Sequence, residues 1–509
     1  MSKDLATQLI EQLRAAGVQR IYGIVGDSLN PIVDAVRKTG GTVQGGIDWI
    51  HVRHEEAAAF AASAEAQLTG KLAVCAGSCG PGNLHLINGL YDANRTGAPV
   101  LAIASHIPSQ QIGSGFFQET HPDRLFSECS VYSELISTAA QAPRVMHCAI
   151  QHAVGFRGVA VVTPPGDIAG LEAVAESPQQ TAYTPGRLSP DPHSVQLLAD
   201  AINAVDKVAI FAGAGVQGGH DEVIQLAEAI GAPIGHSLRG KDFIQYDNPY
   251  DIGMTGLLGY GAAAEGINDA DLLILLGTDF PYDQFLPRTR TAQVDRAAEK
   301  LGRRTDVYGD VLLTVAALIP LVKRKKNTRF LDQMLKKHDR LMNKAVGAYT
   351  RRADKLVPIH PEYAASLLDQ VASRDAIFTA DTWMCNVWTA RYINPLGTRR
   401  LIGSYLHGSM ANALPQAIGA QLAYPGRQVV SVSGDGGLVD AARRNGHRRS
   451  PPAAAEHRSV QQLHAGHGQA GDARRWAARL RCRRTRHQLC RGRHGHGFSR
   501  RQGHRPCRH

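Results

Sequence analysis

The 509-residue chain is predicted to be α/β, with three doubly wound parallel-sheet domains, the third truncated. Three observations predict this. Short apolar runs of strand length alternate with helical patterns over most of the chain, which gives parallel sheets with crossover helices. A length of 509 residues suits about three domains of ~150 residues each. The alternation then stops one or two residues after Gly437, where the composition changes abruptly.

The first domain is expected over residues 1–185. Leu5, Leu9, Ile10 and Leu13 recur at helical spacing, and Gly17 follows as a C-cap. Val18 to Val25 reads as a buried strand, and Gly26 to Asn30 as a turn into a second helix. Arg53-His-Glu-Glu56 precedes an alanine-rich helix from Ala57 to Leu68. The strand Leu72 to Cys75 feeds the small-residue loop Gly77-Ser-Cys-Gly-Pro-Gly82 and a helix through Asn88. Val100 to Ala104 and Gly158 to Val162 are further strands.

Thr181 to Pro192 is a polar, proline-rich linker. The second domain, residues 190–330, opens with the strand Val208 to Ala212 and the sequence Gly213-Ala-Gly-Val-Gln-Gly218. That is a G-x-G-x-x-G between strand and helix, but a dinucleotide fingerprint also needs an acidic residue at the end of the next strand. Pro233-Ile-Gly-His236 has none, so a tight strand-to-helix turn is the better reading. Leu272 to Gly277 and Ala292 to Asp295 are the remaining strands, and Lys323-Arg-Lys-Lys326 reads as a solvated linker face.

The third domain is expected over residues 350–437, with strands at Ala376 to Ala380, Arg400 to Gly403 and Gln428 to Ser433, and a helix from Ala411 to Ala423. Its last strand runs into Gly434-Asp-Gly-Gly437. Glycines let a backbone approach a ligand closely, and a carboxylate there can hold Mg²⁺ and through it a diphosphate. Alone, the motif reads more readily as a surface turn.

The net charge of +11 invites a nucleic-acid partner, but its location excludes one. Residues 438–509 carry 18 Arg, no Lys and 3 acidic residues, a net of +15, which leaves −4 for the first 437. Eight cysteines without a Cys-x-x-Cys point to reduced thiols in a cytoplasm. The N-terminus lacks the apolar core of a signal peptide, and the longest apolar run, near Val311 to Val322, is too short to span a bilayer, so a soluble protein is expected.

Residues 438–509 show neither a period of 2 nor one of 3.6. A basic arm for nucleic acid would carry Lys, and a zinc module from Cys482, Cys490, Cys507 and the histidines lacks ligand spacing. The third account is a shifted reading frame in GC-rich DNA just after Gly437, which yields this Arg/His/Gly/Ala mixture. Resequencing codons 436 to 440 tests it.

Five longer stretches are specific: Arg53-His-Glu-Glu-Ala-Ala-Ala-Phe60, Cys75 to Leu90, Gly115-Phe-Phe-Gln-Glu-Thr-His121, Tyr246 to Gly256, and His407-Gly-Ser-Met-Ala-Asn412. Together they resemble the thiamine-diphosphate-dependent decarboxylases and oxidases, and among them the pyruvate dehydrogenase (quinone), or pyruvate oxidase, family. The resemblance runs from about residue 5 to Gly437. It implies oxidative decarboxylation of pyruvate to acetate and CO₂, with electrons passed through FAD to a quinone. In such enzymes a glutamate bonds the aminopyrimidine of the cofactor and promotes the tautomer that activates it; Glu55 matches. His85, Phe117 and Gln118 match residues lining the substrate pocket. His407, Gly408, Ser409, Asp435, Gly436 and Gly437 match the diphosphate site, with Asp435 the Mg²⁺ ligand. Gly253, Met254, Thr255, Gly256, Leu276, Gly277, Thr278, Asp279 and Phe280 match positions along the flavin nucleotide, and Gln293 its adenosine end. A homotetramer with active sites between subunits is the family norm.

The chain departs from that pattern in five respects. The Asn that completes the Mg²⁺ shell should fall near residues 459–466, where Ser-Val-Gln-Gln-Leu-His-Ala-Gly stands. The strands that would complete the third sheet, and the C-terminal lipid-binding segment, are expected to be missing, so peripheral membrane contact is not expected. Trp383 occupies a position where relatives commonly have Gly, close to the diphosphate. Leu301 to Val311 is shorter than in relatives. The competing reading is an inactive remnant that binds FAD and self-associates but does not hold Mg–thiamine diphosphate.

Overall fold

A computed structural model of the chain describes residues 3–174, 186–278, 283–285, 287–303, 305–351, 357–438 and 461–464. Three sheets organise it, as the alternation of strand and helix patterns predicts. The first has six parallel strands in the order Asp48–His51, Arg20–Gly23, Ala73–Gly77, Val100–Ala104, Val159–Thr163 and Tyr132–Leu135. The strands at 73–77, 100–104 and 159–163 are buried at every residue, as crossover helices on both faces require. The helix Leu5–Ala15 is capped by Asp4, whose Oδ1 accepts Thr7 N–H at 2.8 Å, and its apolar face joins the core with Val145 and Met146.

The second sheet has seven strands in the order Tyr260–Gly261, Asp251–Met254, Ile234–His236, Val208–Ala212, Leu272–Leu276, Arg290–Asp295 and Thr305–Tyr308; only the first pairing is antiparallel. The glycine turn that follows Ala212 is tight. A methyl at Gly215 would fall 2.5 Å from Gly277 Cα, so two strand-end loops meet backbone to backbone. The turn passes through a short 3-10 segment, and the next helix begins only at His220. The helix Arg329–Leu341 covers one face of this sheet, with Phe330 and Met334 against Phe211 and Ile252.

The third sheet is parallel, in the order Arg400–Gly403, Ile377–Ala380, Val429–Ser433 and Gln461–His464. The last strand lies beyond Gly437: the backbone of 461–464 pairs with Val430–Ser433. Gln-Gln-Leu-His has one apolar residue in four, so no hydrophobic pattern announces it.

One helix ties the first domain to the third. Glu55–Thr69 is buried along its length except at Gln67 and Thr69, and seven of its fifteen residues are alanine. It starts two residues earlier than the sequence predicts, so Glu55 and Glu56 form its first turn. Small residues allow helices to approach on both sides. A methyl at Gly89 of the helix Pro81–Thr96 would fall 2.5 Å from Ala59 Cβ, and one at Gly419 of the helix Ala413–Ala423 would strike the Ala61 carbonyl. The middle domain docks by apolar and polar contacts, with Met254 and Tyr260 packed against Ala390. Asp242 accepts Leu401 N–H at 2.6 Å, and Arg239 donates to the Thr96 carbonyl at 2.6 Å. No helix among the described residues is long and apolar enough to cross a membrane.

Candidate active site

Glu55 sits at the first position of its helix because His54 stops the preceding chain in an extended conformation and caps the turn. The His54 Nδ1 accepts Glu56 N–H at 3.3 Å. Carboxylates are favoured at this positive end of the helix. Glu55 is only 7% exposed, and its Oε2 lies 3.0 Å from His85 Nδ1, the geometry of an N–H donating to the carboxylate. That contact turns Nδ1 toward Glu55 and leaves Nε2 as the ring nitrogen available to another partner. The rings of His54 and His85 stack at 4.2 Å. A methyl at Gly82 would lie 3.2 Å from Glu55 Oε1, so this glycine keeps room beside the carboxylate.

The helix Pro81–Thr96 lays a polar seam along the Glu55 helix. Its His85, Asn88 and Asp92, at i, i+3 and i+7, share one face. Asn88 Nδ2 donates to Glu56 Oε1 at 2.6 Å and to Ser409 Oγ at 3.0 Å. His407 Nε2 lies 2.8 Å from Asn88 Oδ1 and stacks on Tyr91. Partial burial, then the nearby Arg95, lowers the His407 pKa, so it donates as a neutral ring. Asp92 is fully buried against Ser63 and Gln416, and burial pushes its carboxyl up to about 6.

A loop folds over the small-residue turn beside this seam. Glu119 gathers the N–H groups of Gly113, Gly115 and Phe116, which hold its carboxyl below the ordinary range. Gln118 takes φ +64° against Gly80, and its Oε1 accepts the Cys79 thiol at 3.4 Å. Phe117, its neighbour, is 78% exposed. So the structure brings His85 to Glu55 and Gln118 to the turn that carries Gly80, while Phe117 points to solvent.

In the third domain, Asp435, Gly436 and Gly437 follow the strand Val429–Ser433. Asp435 is exposed, and its Oδ1 accepts Gly436 N–H at 2.9 Å. Beneath them lies Asp381, 2% exposed, whose Oδ1 accepts Ala413 N–H at 2.9 Å. A methyl at Gly437 would strike Asp381 Oδ2, so this glycine is a steric requirement. Burial raises the Asp381 carboxyl to about 6. Trp383 caps the helix Met384–Tyr392 at φ +85°, ψ −132°, a conformation natural only to glycine, with its indole 78% exposed.

In the middle domain, Gly253 to Gly256 end one strand and Leu276 to Thr278 end another, with two strands between them. Gly256 has φ +101° and open space where a side chain would be. Gln293 is buried, donates from Nε2 to the Thr278 carbonyl at 3.2 Å, and leaves Oε1 without a partner among the described residues. Asp279 and Phe280 lie outside the described residues.

Three family models match the chain: the thiamine pyrophosphate enzyme N-terminal TPP binding domain over residues 3–125, the central domain over 195–318, and the C-terminal TPP binding domain over 381–444. A putative thiamine pyrophosphate-containing protein, YdaP, of Bacillus subtilis is 35% identical over 85% of this chain and 75% of its own. The chain belongs to the thiamine pyrophosphate enzyme family. An uncharacterized 42.6 kDa protein of Pseudomonas amyloderamosa is 49% identical over 76% of this chain and 93% of its own. The pyruvate oxidase of Lactiplantibacillus plantarum is 31% identical over 84% and 72%. Acetolactate synthases also match, that of Mycobacterium bovis at 28% over 85% and 71%.

For a thiamine pyrophosphate enzyme the residues present fit the organic part of the cofactor. The space that Gly82 leaves beside Glu55 is a cradle, and Gly408 and Gly436 leave open room at the third domain. Mg²⁺ is typical of the family, and Asp435 offers it one exposed carboxylate. Sequence reasoning missed three residues here. His54 stood unassigned within a quoted motif, Asn88 within another, and Asp381 is the residue that follows the strand Ala376 to Ala380. Helical spacing from His85 was the available signal for Asn88.

Proposed function

We propose that this thiamine pyrophosphate enzyme decarboxylates pyruvate oxidatively: pyruvate and water give acetate and CO₂, and two electrons and two protons pass through FAD to a quinone. The observation that carries the reading is the buried Glu55 carboxylate held 3.0 Å from His85 Nδ1. Bound thiamine diphosphate supplies a nucleophilic carbon and an electron sink. Glu55 holds and returns a proton at Oε1, the oxygen facing Gly82. His85 fixes the other oxygen and presents Nε2 to the substrate side. Gln118 orients the substrate and Phe117 excludes water from it once a neighbouring subunit covers the loop. His407, Gly408 and Ser409 hold the diphosphate end with Asp435, Gly436, Gly437 and Mg²⁺.

Flavin fits the middle domain. Gly253 to Gly256 and Leu276 to Thr278 end strands three steps apart, a span of about 14 Å at ~4.8 Å per strand, suited to an extended dinucleotide, and Asp279 and Phe280 are the next residues in sequence. The unpartnered Gln293 Oε1 is an acceptor for its adenosine end. The exposed Phe117, Trp383 and Met410 support assembly with further copies, and a cytoplasmic homotetramer is the form proposed.

A second reading, a remnant that binds FAD and self-associates without holding Mg–thiamine diphosphate, is favoured by one observation, the glycine-only backbone forced on Trp383 beside the diphosphate residues. Pyruvate-dependent dye reduction by the full chain, with all three cofactors supplied, separates the two. Turnover supports the oxidase; bound FAD without turnover supports the remnant. Acetolactate formed in place of acetate would refute both in favour of a synthase.

A further inference from the structure

We infer that His54, Glu55 and His85 form a second metal site, for a divalent transition ion of the zinc class, distinct from the Mg²⁺ position at Asp435. One ring nitrogen of each histidine and one carboxylate oxygen lie within 4.8 Å of one another, the only such group among the described residues. Two imidazoles and a carboxylate suit Zn²⁺ or Co²⁺, whereas Mg²⁺ prefers an all-oxygen shell.

The surroundings favour a cation. Glu56 Oε2 lies 3.8 Å from His54 Nδ1, so two carboxylates offset both the ion and the positive helix end. An entry path exists, because the His85 side chain is 45% exposed. The same exposure lets the ring turn out of its stack on His54, which convergence of both nitrogens on one ion requires. Ligation would occupy Glu55 Oε2, the oxygen that bonds His85, and tie up the carboxylate whose other oxygen, Oε1, faces the space beside Gly82, so ion and cofactor would draw on one group. The ion and thiamine diphosphate should therefore exclude each other; this exclusion, unlike the binding itself, rests on the reading of Glu55 given above.

Cobalt binding tests the site, read as the visible absorption of Co²⁺ in the full-length chain, without thiol or thiamine diphosphate. The chain has 22 histidines and 8 cysteines, so the readout is a difference between wild type and variant. His85→Gln, at an exposed position, and His54→Asn, which keeps a helix-capping side chain, should each lose one bound equivalent or bind it at least tenfold more weakly. Circular dichroism checks that they fold. Equal cobalt binding by wild type and folded His85→Gln would overturn the site. Displacement of that equivalent by thiamine diphosphate with Mg²⁺ supports the exclusion. Cobalt that stays while thiamine diphosphate binds overturns the exclusion but leaves the metal site standing.

Discussion

Asn88 Oδ1 and His407 Nε2, 2.8 Å apart and 319 residues distant in sequence, join the helix that carries His85 to the loop that follows the strand Arg400–Gly403 of the third domain. Because Asn88 also donates to Glu56 and Ser409, one side chain holds both sides of the domain junction. Asn88→Ala should lower stability by about 1–3 kcal/mol, the usual cost of withdrawing a partner from buried polar groups. Urea unfolding reads this directly, and an unchanged midpoint would show that the junction does not rest on Asn88.

Glu55→Gln is the sharpest test of the catalytic reading. The amide is isosteric, and His85 can still donate to its carbonyl oxygen, so the fold should persist by circular dichroism. Pyruvate turnover should fall by about 10²–10⁴, the range for loss of a proton-transferring group. Wild-type turnover in this variant removes Glu55 from the chemistry.

Trp383→Gly should stabilise the protein. Holding a bulky residue at φ +85°, ψ −132° costs about 1–3 kcal/mol, and glycine gives back roughly 0.5–1 kcal/mol in unfolded-chain entropy. A net gain of about 1 kcal/mol in urea unfolding is expected, since the indole is exposed and loses little packing. A loss of stability would mean that the indole has a partner that outweighs the strain.

Asp92 makes stability depend on pH. Its folded pKa, raised by burial from 3.8 to about 6, lies above the unfolded value, so the native state binds more protons in that window. The stability is fully present below 3.8 and is lost as pH rises through about 6. Asp92→Asn removes that loss and should gain, relative to wild type, on the order of 3 kcal/mol between pH 4 and 7. Parallel denaturation curves at the two pH values would refute it if the variant and wild type shift together.

The sheets were legible where strands are buried on both faces, since Val100–Ala104 and Leu272–Leu276 are continuous apolar runs. The edge strands Asp48–His51 and Tyr132–Leu135 escaped because each mixes two polar with two apolar residues and carries no continuous apolar run, with His51 and Glu134 exposed. Glu55 and His85 could be named from their motifs, and the sequence flagged Trp383. What made Trp383 matter, its backbone angle, has no signature in composition. Asp381 went unassigned because its role is to be struck by anything larger than glycine at position 437, a relation between two strand ends that only packing reveals.

The alanine-rich helix that begins at Glu55 is flanked by Gly89 on one side and Gly419 on the other, and both lie before the point where the composition breaks. The cradle of the glutamate is therefore encoded entirely upstream of Gly437. A shifted reading frame after that glycine would alter the chain beyond the residues proposed to meet a metal-bound diphosphate and would leave every residue of this chain packed around Glu55 unchanged. Restoring such a chain becomes a matter of regrafting one end, with the half that holds the proton kept as it is.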